Sequence, residues 1–281
     1  MIEFLNGLFT AAGGALLAPF RPLGPWAAMI AVSLLTGVLM LLIFKTTSNQ
    51  AAILRTKNLI KAHLLELRLY KHNFGQTMKS QGGILLANGR YLGHAIRPML
   101  VMLVPILLLL LQLDLRFGAR SLRVGETVLV KVKLDPEAAP VRTPVALEAS
   151  AGLIVETPPL RIDKQSEGED NEINWRVRAS AAGFHELKFV LDGGSFSESV
   201  AVERAPLTAI VPLRLRSRGL AALGHPGGTA LPGGLPVAAV EVAYPADRLS
   251  LFGWRMHWLV AFFGLSVIFG FALKGVFKVE V

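Results

Sequence analysis

The residues best suited to proton or metal chemistry are six histidines: His63, His72, His94, His185, His225 and His257. They lie scattered. No pair stands at metal-ligand spacing with a carboxylate, and no HExxH occurs. GxSxG is absent too. The stretch "DGGS" at 192–195 reads as a turn, and "GHPGGTALPGG" at 224–234 lacks the GK[ST] of a phosphate loop. With no cysteine, the chain has no thiol nucleophile, zinc–thiolate cluster or disulfide. The expectation is no enzyme: no catalytic residue, no metal and no cofactor. What remains is polar chemistry set in apolar surroundings, from Ser33 and Thr36, Arg97 and Gln112, and Ser266. Hydroxyls, an amide and a positive charge inside hydrocarbon would lower the cost of moving a polar segment through it. Each residue also has an ordinary use. Serine and threonine serve helix packing in membranes, and Arg97 could anchor at the inner leaflet. Asp114, at the end of an apolar run, fits the outer interface.

These residues sit in a chain that is 52% hydrophobic and 17% charged, with mean hydropathy +0.50; soluble domains carry about 25% charged residues. Trp26–Phe44 holds no charge and makes about 28 Å of helix, enough to cross the hydrocarbon core. Met99–Leu113 is shorter, and to span it must borrow Tyr91–Pro98 or thin the bilayer. Met256–Leu273 is the third apolar run, flanked by Trp254 and Trp258 as interface anchors. These runs predict transmembrane helices over 25–45, 96–115 and 253–274. The opening stretch, 1–24, is apolar but lacks the basic start of a signal peptide. It contains Gly13, Gly14 and Pro19, and is expected to be an interfacial or re-entrant helix stopped by Pro19 and Pro22; a fourth span is the competing reading.

Between the first two runs, Lys45 to Arg97 carries nine basic residues against one acid, Glu66. The positive-inside rule places 46–95, and with it the tail 275–281, in the cytoplasm. Segment 116–252 then falls outside, with nearly balanced charge. The net +9 is therefore concentrated on the inner side, where it would attract anionic lipid or acidic partners. Ile53, Ile60, Leu67 and Phe74 recur every seven residues, with Leu64 and Met78 at intervening positions that also include Lys57 and Lys71. Asn73–Gly75 offers a turn. The pattern predicts a basic helical hairpin with a returning limb from Gln76 to Ala95, weakened by Gly82 and Gly83. Its partner or lipid contacts would be Ile53, Lys57, Ile60, Lys61, Leu64, Leu67, Arg68 and Lys71. A helix lying on the inner leaflet is the alternative for the same stripe.

A first span, the Lys/Arg-rich arm "KTTSNQAAILRTKNLIKAHLLELRLYKHN" and a second span containing "RPMLVMLVPILLLLLQL" resemble the YidC/Oxa superfamily of membrane protein insertases, specifically its compact three-span branch. The resemblance covers about residues 20–118 and the last span. It implies a membrane chaperone with client membrane proteins, a client groove at Ser33, Thr36, Arg97, Gln112 and Ser266, and an acidic cytoplasmic partner or the ribosome at the arm. Specific DNA is not expected. The implied location is a bacterial-type inner membrane. Two features depart from that family: the first span has no arginine, and a large outer segment separates the second span from the third.

That segment alternates like half-buried strands, in "GETVLVKVKL" and in "NEINWRVRASAAGFHELKFVLDGGSFSESVAVE". The spacing predicts an extracytoplasmic β-sandwich with its core over about 119–205, a Gly/Pro-rich loop at 217–237 and one more strand in "VAAVEVAYP". The fold class is thus α-helical membrane protein with an outer β domain. A non-catalytic scaffold or assembly subunit, binding partners through that domain and the arm, is the alternative function.

Overall fold

The computed structural model describes residues 2–163, 171–216, 224, 227–251 and 253–279. Most of the predicted Gly/Pro loop before Gly227 lies outside them. Two compact units divide the chain. One comprises Met1–Ala28 and Leu110–Trp258, the other Met29–Leu109 and Leu259–Val281.

Among the described residues, three helices are long and apolar enough to cross a membrane: α2 (Pro25–Thr47), α4 (Phe74–Phe117) and α5 (Trp258–Phe277). The protein is thus a multi-pass membrane protein with a β-rich region. The remaining helices are α1 (Ile2–Leu17), which runs into a 3-10 turn over Ala18–Leu23, and α3 (Gln50–Leu69). Gly24 ends that turn at φ 89°, a conformation glycine tolerates without strain.

Among the described residues of the first unit, eleven strands form three sheets. β1 (Thr127–Leu134) is central to the largest, pairing on one side with β5 (Glu172–Ala179) and on the other with β9 (Val237–Val242). β3 (Leu153–Val155) and β4 (Leu160–Ile162) extend it beyond β5, and β8 (Leu213–Leu215) beyond β9. The second sheet orders β2 (Val145–Ala149), β6 (Gly183–Leu191) and β7 (Gly194–Val202). A short hairpin of β10 (Leu249–Leu251) and β11 (Trp254–Met256) is the third.

Alternation explains why the two larger sheets share one core. Val128, Val130 and Val132 of β1 are buried, as are Ile173, Trp175 and Val177 of β5. From the other sheet come Leu187, Phe189 and Val200. The Trp175 ring meets Phe189 edge-on at 6.0 Å, and Phe189 stacks on Phe196 at 4.9 Å. Such aromatic pairs add to simple area burial. The β6–β7 turn is Asp192-Gly193, with Gly193 at φ 101°. The core does not stop at residue 205. Leu231, Leu235, Val237, Val240 and Val242 complete it, because β9 is the second neighbour of β1.

The exit of α4 is stitched to this domain by backbone bonds. Ile210 N donates to Leu115 O at 2.8 Å, Arg120 N to Pro245 O at 3.0 Å and Asp247 N to Gly118 O at 3.1 Å. Close by, Arg120 grips Glu126 bidentately at 2.7 and 2.8 Å, and Arg123 N adds a third bond at 2.9 Å. These donors favour the ionised carboxylate and hold the Glu126 pKa down at about 2. A depressed carboxylate contributes stability that is present above the unfolded value, 4.5, and is lost as pH falls toward 2. The expected result is an acid-side loss of melting temperature across that window which Glu126→Gln flattens. An unchanged acid profile in the variant would remove Glu126 from the account.

In the second unit, α3 and the first part of α4 form an antiparallel hairpin. Asn49 caps α3 by accepting from Ala52 N at 3.0 Å, and Asn73 caps α4 by accepting from Gln76 N at 3.1 Å. The turn therefore occupies 70–73, and Gly75 lies inside α4 rather than in the turn. Across the hairpin, Glu66 accepts from Ser80 Oγ at 2.8 Å; within α3 it pairs with His63 Nδ1 at 3.0 Å. These bonds, His63 foremost, hold the Glu66 carboxyl below its ordinary range. The facing seam differs from the sequence expectation. It runs Ile53, Thr56, Ile60, His63 and Leu67, while Leu64 is 52% exposed. A rise of three then four residues keeps one face inward, so Thr56 and His63 hold the positions expected for Lys57 and Leu64. Gly83 permits the approach, since a Cβ there would lie 2.6 Å from His63 Nε2.

The returning limb and the second span are one helix of 44 residues, about 66 Å, not two elements meeting near 95. Pro98 and Pro105 lie within it. Neighbouring helices and local adjustment accommodate such prolines in apolar helices. Continuity supplies the length that Met99–Leu113 lacked.

Candidate functional site

The polar residues predicted to face a groove do not all converge. Three of them do, between α2 and α5. Ser33 is fully buried and its Oγ donates to Phe262 O at 3.5 Å. Gly37, one turn on, lets the helices close: a Cβ there would lie 3.3 Å from Phe269 Cβ and 3.4 Å from both Ser266 O and Gly270 N. Ser33 with Gly37, and Ser266 with Gly270, are small-xxx-small pairs at the four-residue spacing that allows close helix approach. That signal was present in the sequence, and the reading by hydroxyls alone passed over it.

Beside this seam lies a cavity of about 220 Å³. Thr36, Met40 and Phe44 line it from α2, Met102 and Ile106 from α4, and Phe263, Ser266 and Gly270 from α5. Its walls are almost wholly apolar. Thr36 Oγ1 and Ser266 Oγ are buried there and make no hydrogen bond. Leaving a buried hydroxyl unbonded costs about 1–3 kcal/mol. Both residues sit near the middle of their helices, so the two unused hydroxyls are at the depth where a polar group is hardest to accommodate.

Arg97 lines no part of this cavity; it is exposed on α4. Gln112, about four turns further along that helix, belongs to a different cluster. Its Nε2 donates to Thr10 Oγ1 of α1 at 3.4 Å. Next to it, Arg116 is only 4% exposed and donates to Gln112 O at 3.0 Å, Gln112 Oε1 at 3.3 Å and Thr10 O at 2.8 Å. Sequence reasoning missed Arg116, because an arginine at a span end looks like an interface anchor. The available signals were its i,i+4 relation to Gln112 and the side-chain-free Gly13-Gly14 of α1. Asp114 is exposed. Trp254 is 79% exposed, as an anchor would be, whereas Trp258 is 2% exposed and packed within the protein.

On the arm, Ile53 is fully buried against Leu41, Phe44 and Val279, so it plugs the base of the hairpin. Lys57, Ile60 and Leu67 are half-buried; Lys61, Leu64, Arg68 and Lys71 are exposed. The tip also exposes Leu65 at 67%, Leu69 at 73% and Phe74 at 77%. Large apolar side chains held out among lysines and arginines suit an apolar partner or a lipid surface. Among the described residues no three His, Asp or Glu side chains come together to hold a metal.

The chain matches no protein-family model, no curated protein and no solved structure.

Proposed function

We propose that the protein is an insertase or membrane chaperone that helps place other membrane proteins in the bilayer, in keeping with its resemblance to the YidC/Oxa superfamily. The observation that carries this reading is the mid-helix cavity with two unpartnered hydroxyls, Thr36 and Ser266. The mechanism is physical. A polar group on an entering client span meets two hydrogen-bond partners at mid-bilayer instead of none, and the arm presents Leu65, Leu69 and Phe74 for first capture while its basic residues steer acidic partners. No bond is made or broken, and no cofactor takes part.

The charge bias of the arm supports a cytoplasmic arm in an inner-membrane protein, with the two-sheet domain on the outer side. Because the chain has no cysteine, a single Ser195→Cys variant tests this: Ser195 is exposed on β7 and should react with an impermeant maleimide added outside. Reaction from the cytoplasmic side alone reverses the topology.

Function is tested in proteoliposomes with two clients, one whose span has a central Asn and one whose span is all Leu. Membrane hydrogen bonds are worth about 0.6 kcal/mol each, so removing two by Thr36→Val with Ser266→Ala should slow the Asn client roughly five- to tenfold and leave the Leu client unchanged. Absence of insertion by the wild type, or equal slowing of both clients, defeats the proposal. A scaffold role is the second reading, favoured by one observation. The apolar windows of α4 and α5 are only 17% and 11% buried within the chain, leaving broad faces for lipid or another subunit.

A further inference from the structure

We propose that the outer face of α4 joins two copies of this chain in a parallel, coiled-coil-like dimer. From Met78 onward, exposed positions of α4 recur at alternating steps of four and three residues: Met78, Gly82, Leu85, Gly89, Leu92 and Ile96. The alternation runs on through Met99 and Leu103, which are also exposed. This spacing is that of a two-stranded coiled-coil seam, and here it extends over about 37 Å. It is not the face that meets α3. That face holds Ser80, bonded to Glu66, Gly83 against His63, and the buried Ala87. On the outer face Leu85 is 74% exposed and Leu92 56%. Its glycines are unexplained within one copy. Glycine inside a helix is destabilising relative to alanine. Gly37 and Gly83 have close neighbours that require them, but a Cβ on Gly82 or Gly89 would meet nothing within 4 Å. Close approach of a second helix is what two such glycines permit.

Geometry, charge and area select a second copy as the occupant. Two copies inserted in one membrane share one orientation, so their α4 helices run parallel about a two-fold axis and identical residues meet in layers. A groove over Gly82 and Gly89, bordered by Leu85, Leu86 and Arg90, then receives the leucines of the partner helix. Charge permits this approach on the outer face. The positions beside the seam are Gln81 and Asn88 on one side and Leu86 and Gly93 on the other, all uncharged. A basic arm therefore meets its like without opposed cations between residues 80 and 96. Covering the exposed apolar side chains of two seams removes on the order of 1,000 Å² from solvent and lipid, the size at which a protein interface becomes specific. Lipid is the weaker occupant for the first part of the seam. Residues 78–92 precede the apolar run that starts at Met99, and Gln81, Asn88, Arg90 and His94 surround them.

The test uses the full-length chain, whose lack of cysteine makes single-cysteine crosslinking clean. In native membranes treated with a mild oxidant, Leu85→Cys and Leu92→Cys should each give a disulfide-linked homodimer. His94→Cys, exposed on the opposite side of α4, should not. In neutral detergent the wild type should have twice the chain mass of 30.3 kDa by light scattering. Gly82→Gln with Gly89→Gln should weaken dimerisation at least tenfold without lowering the melting temperature of the monomer, because the added side chains meet nothing within one copy. Added salt should leave the dimer intact or strengthen it, since like charges on the two arms are then screened. Equal crosslinking at 85, 92 and 94, a wild type of single mass that gives no crosslink, or a glutamine variant that dimerises fully overturns the proposal. A crosslink from Leu85→Cys to a different protein, or association lost with added salt, assigns the face to another partner and the homodimer falls.

Discussion

Arg214→Met is expected to cost the two-sheet domain about 3–5 kcal/mol, the penalty for stranding one member of a buried ion pair. Arg214 on β8 bonds Glu198 of β7 at 2.9 Å, and their side chains are only 13% and 6% exposed. The pair links the edge strands of the two sheets. Arg214 also donates to Ser197 O at 2.7 Å and Thr229 O at 2.9 Å, so its loss leaves carbonyls unserved as well. Burial pushes the Glu198 carboxyl above its ordinary range, and Arg214 opposes that shift. Without Arg214 the shift grows. A carboxyl whose folded pKa is raised stabilises the fold below the unfolded value and loses that contribution as pH rises through the folded value. The deficit should therefore be largest near neutral pH and shrink as pH is lowered toward 4.5. At a few degrees per kcal/mol for a domain of this size, the melting temperature should drop by about 10 °C. Pairing the change with Glu198→Leu should restore most of the loss, since no charge is then stranded. A single variant that melts within about 2 °C of wild type at neutral pH would show that the pair carries little.

Shortening the arm should abolish client insertion while leaving the membrane part folded. The structure says where to cut. Glu66 meets Ser80 and His63 meets Gly83, both symmetric about residue 73, so removing 61–85 and closing with a short Gly/Ser linker leaves residue 60 facing residue 86. The cut spares Ile53, whose contacts with Leu41 and Phe44 hold the base. It removes Lys61, Leu64, Leu67, Arg68 and Lys71 together with the exposed tip. The expected result is unchanged expression and melting, with client capture and insertion down more than tenfold. Full insertion by the shortened protein would exclude the arm from function and take the insertase reading with it. Within the intact arm, Leu65→Asp with Leu69→Asp should remove the apolar contact at all ionic strengths. Lys61→Glu with Arg68→Glu and Lys71→Glu should give a defect that depends on salt, because exposed charges act over about a Debye length, about 8 Å at physiological ionic strength.

Local periodicity made much of this molecule legible from its sequence. Uncharged runs at Trp26–Phe44 and Met256–Leu273 announced two apolar helices, because crossing hydrocarbon demands length without charge. Period-two alternation announced β1, β5, β6 and β7, and Asp192-Gly193 their turn. Seven-residue spacing announced the hairpin, and its charge bias motivated an orientation. Hydroxyls at Ser33, Thr36 and Ser266 were picked out as unusual in apolar helices, and the fold brings those three to one place. Everything that depends on which residue meets which was decided only by tertiary structure. Arg97 and Gln112 carry the same kind of signal as Thr36, yet lie elsewhere, because a side chain's neighbours depend on how helices rotate and pack, not on its type. Leu64 gave way to His63 at the seam since Gly83, twenty residues on, left space for a ring. Phe74–Phe117 became one helix despite its glycines and prolines, for in hydrocarbon the backbone groups must find their hydrogen bonds within the helix. Arg116 was buried by Gly13 and Gly14, about a hundred residues earlier, and Glu198 by Arg214 across two sheets. Those contacts arise where separate segments exclude water together, and the local periodicity of neither segment reveals its partner.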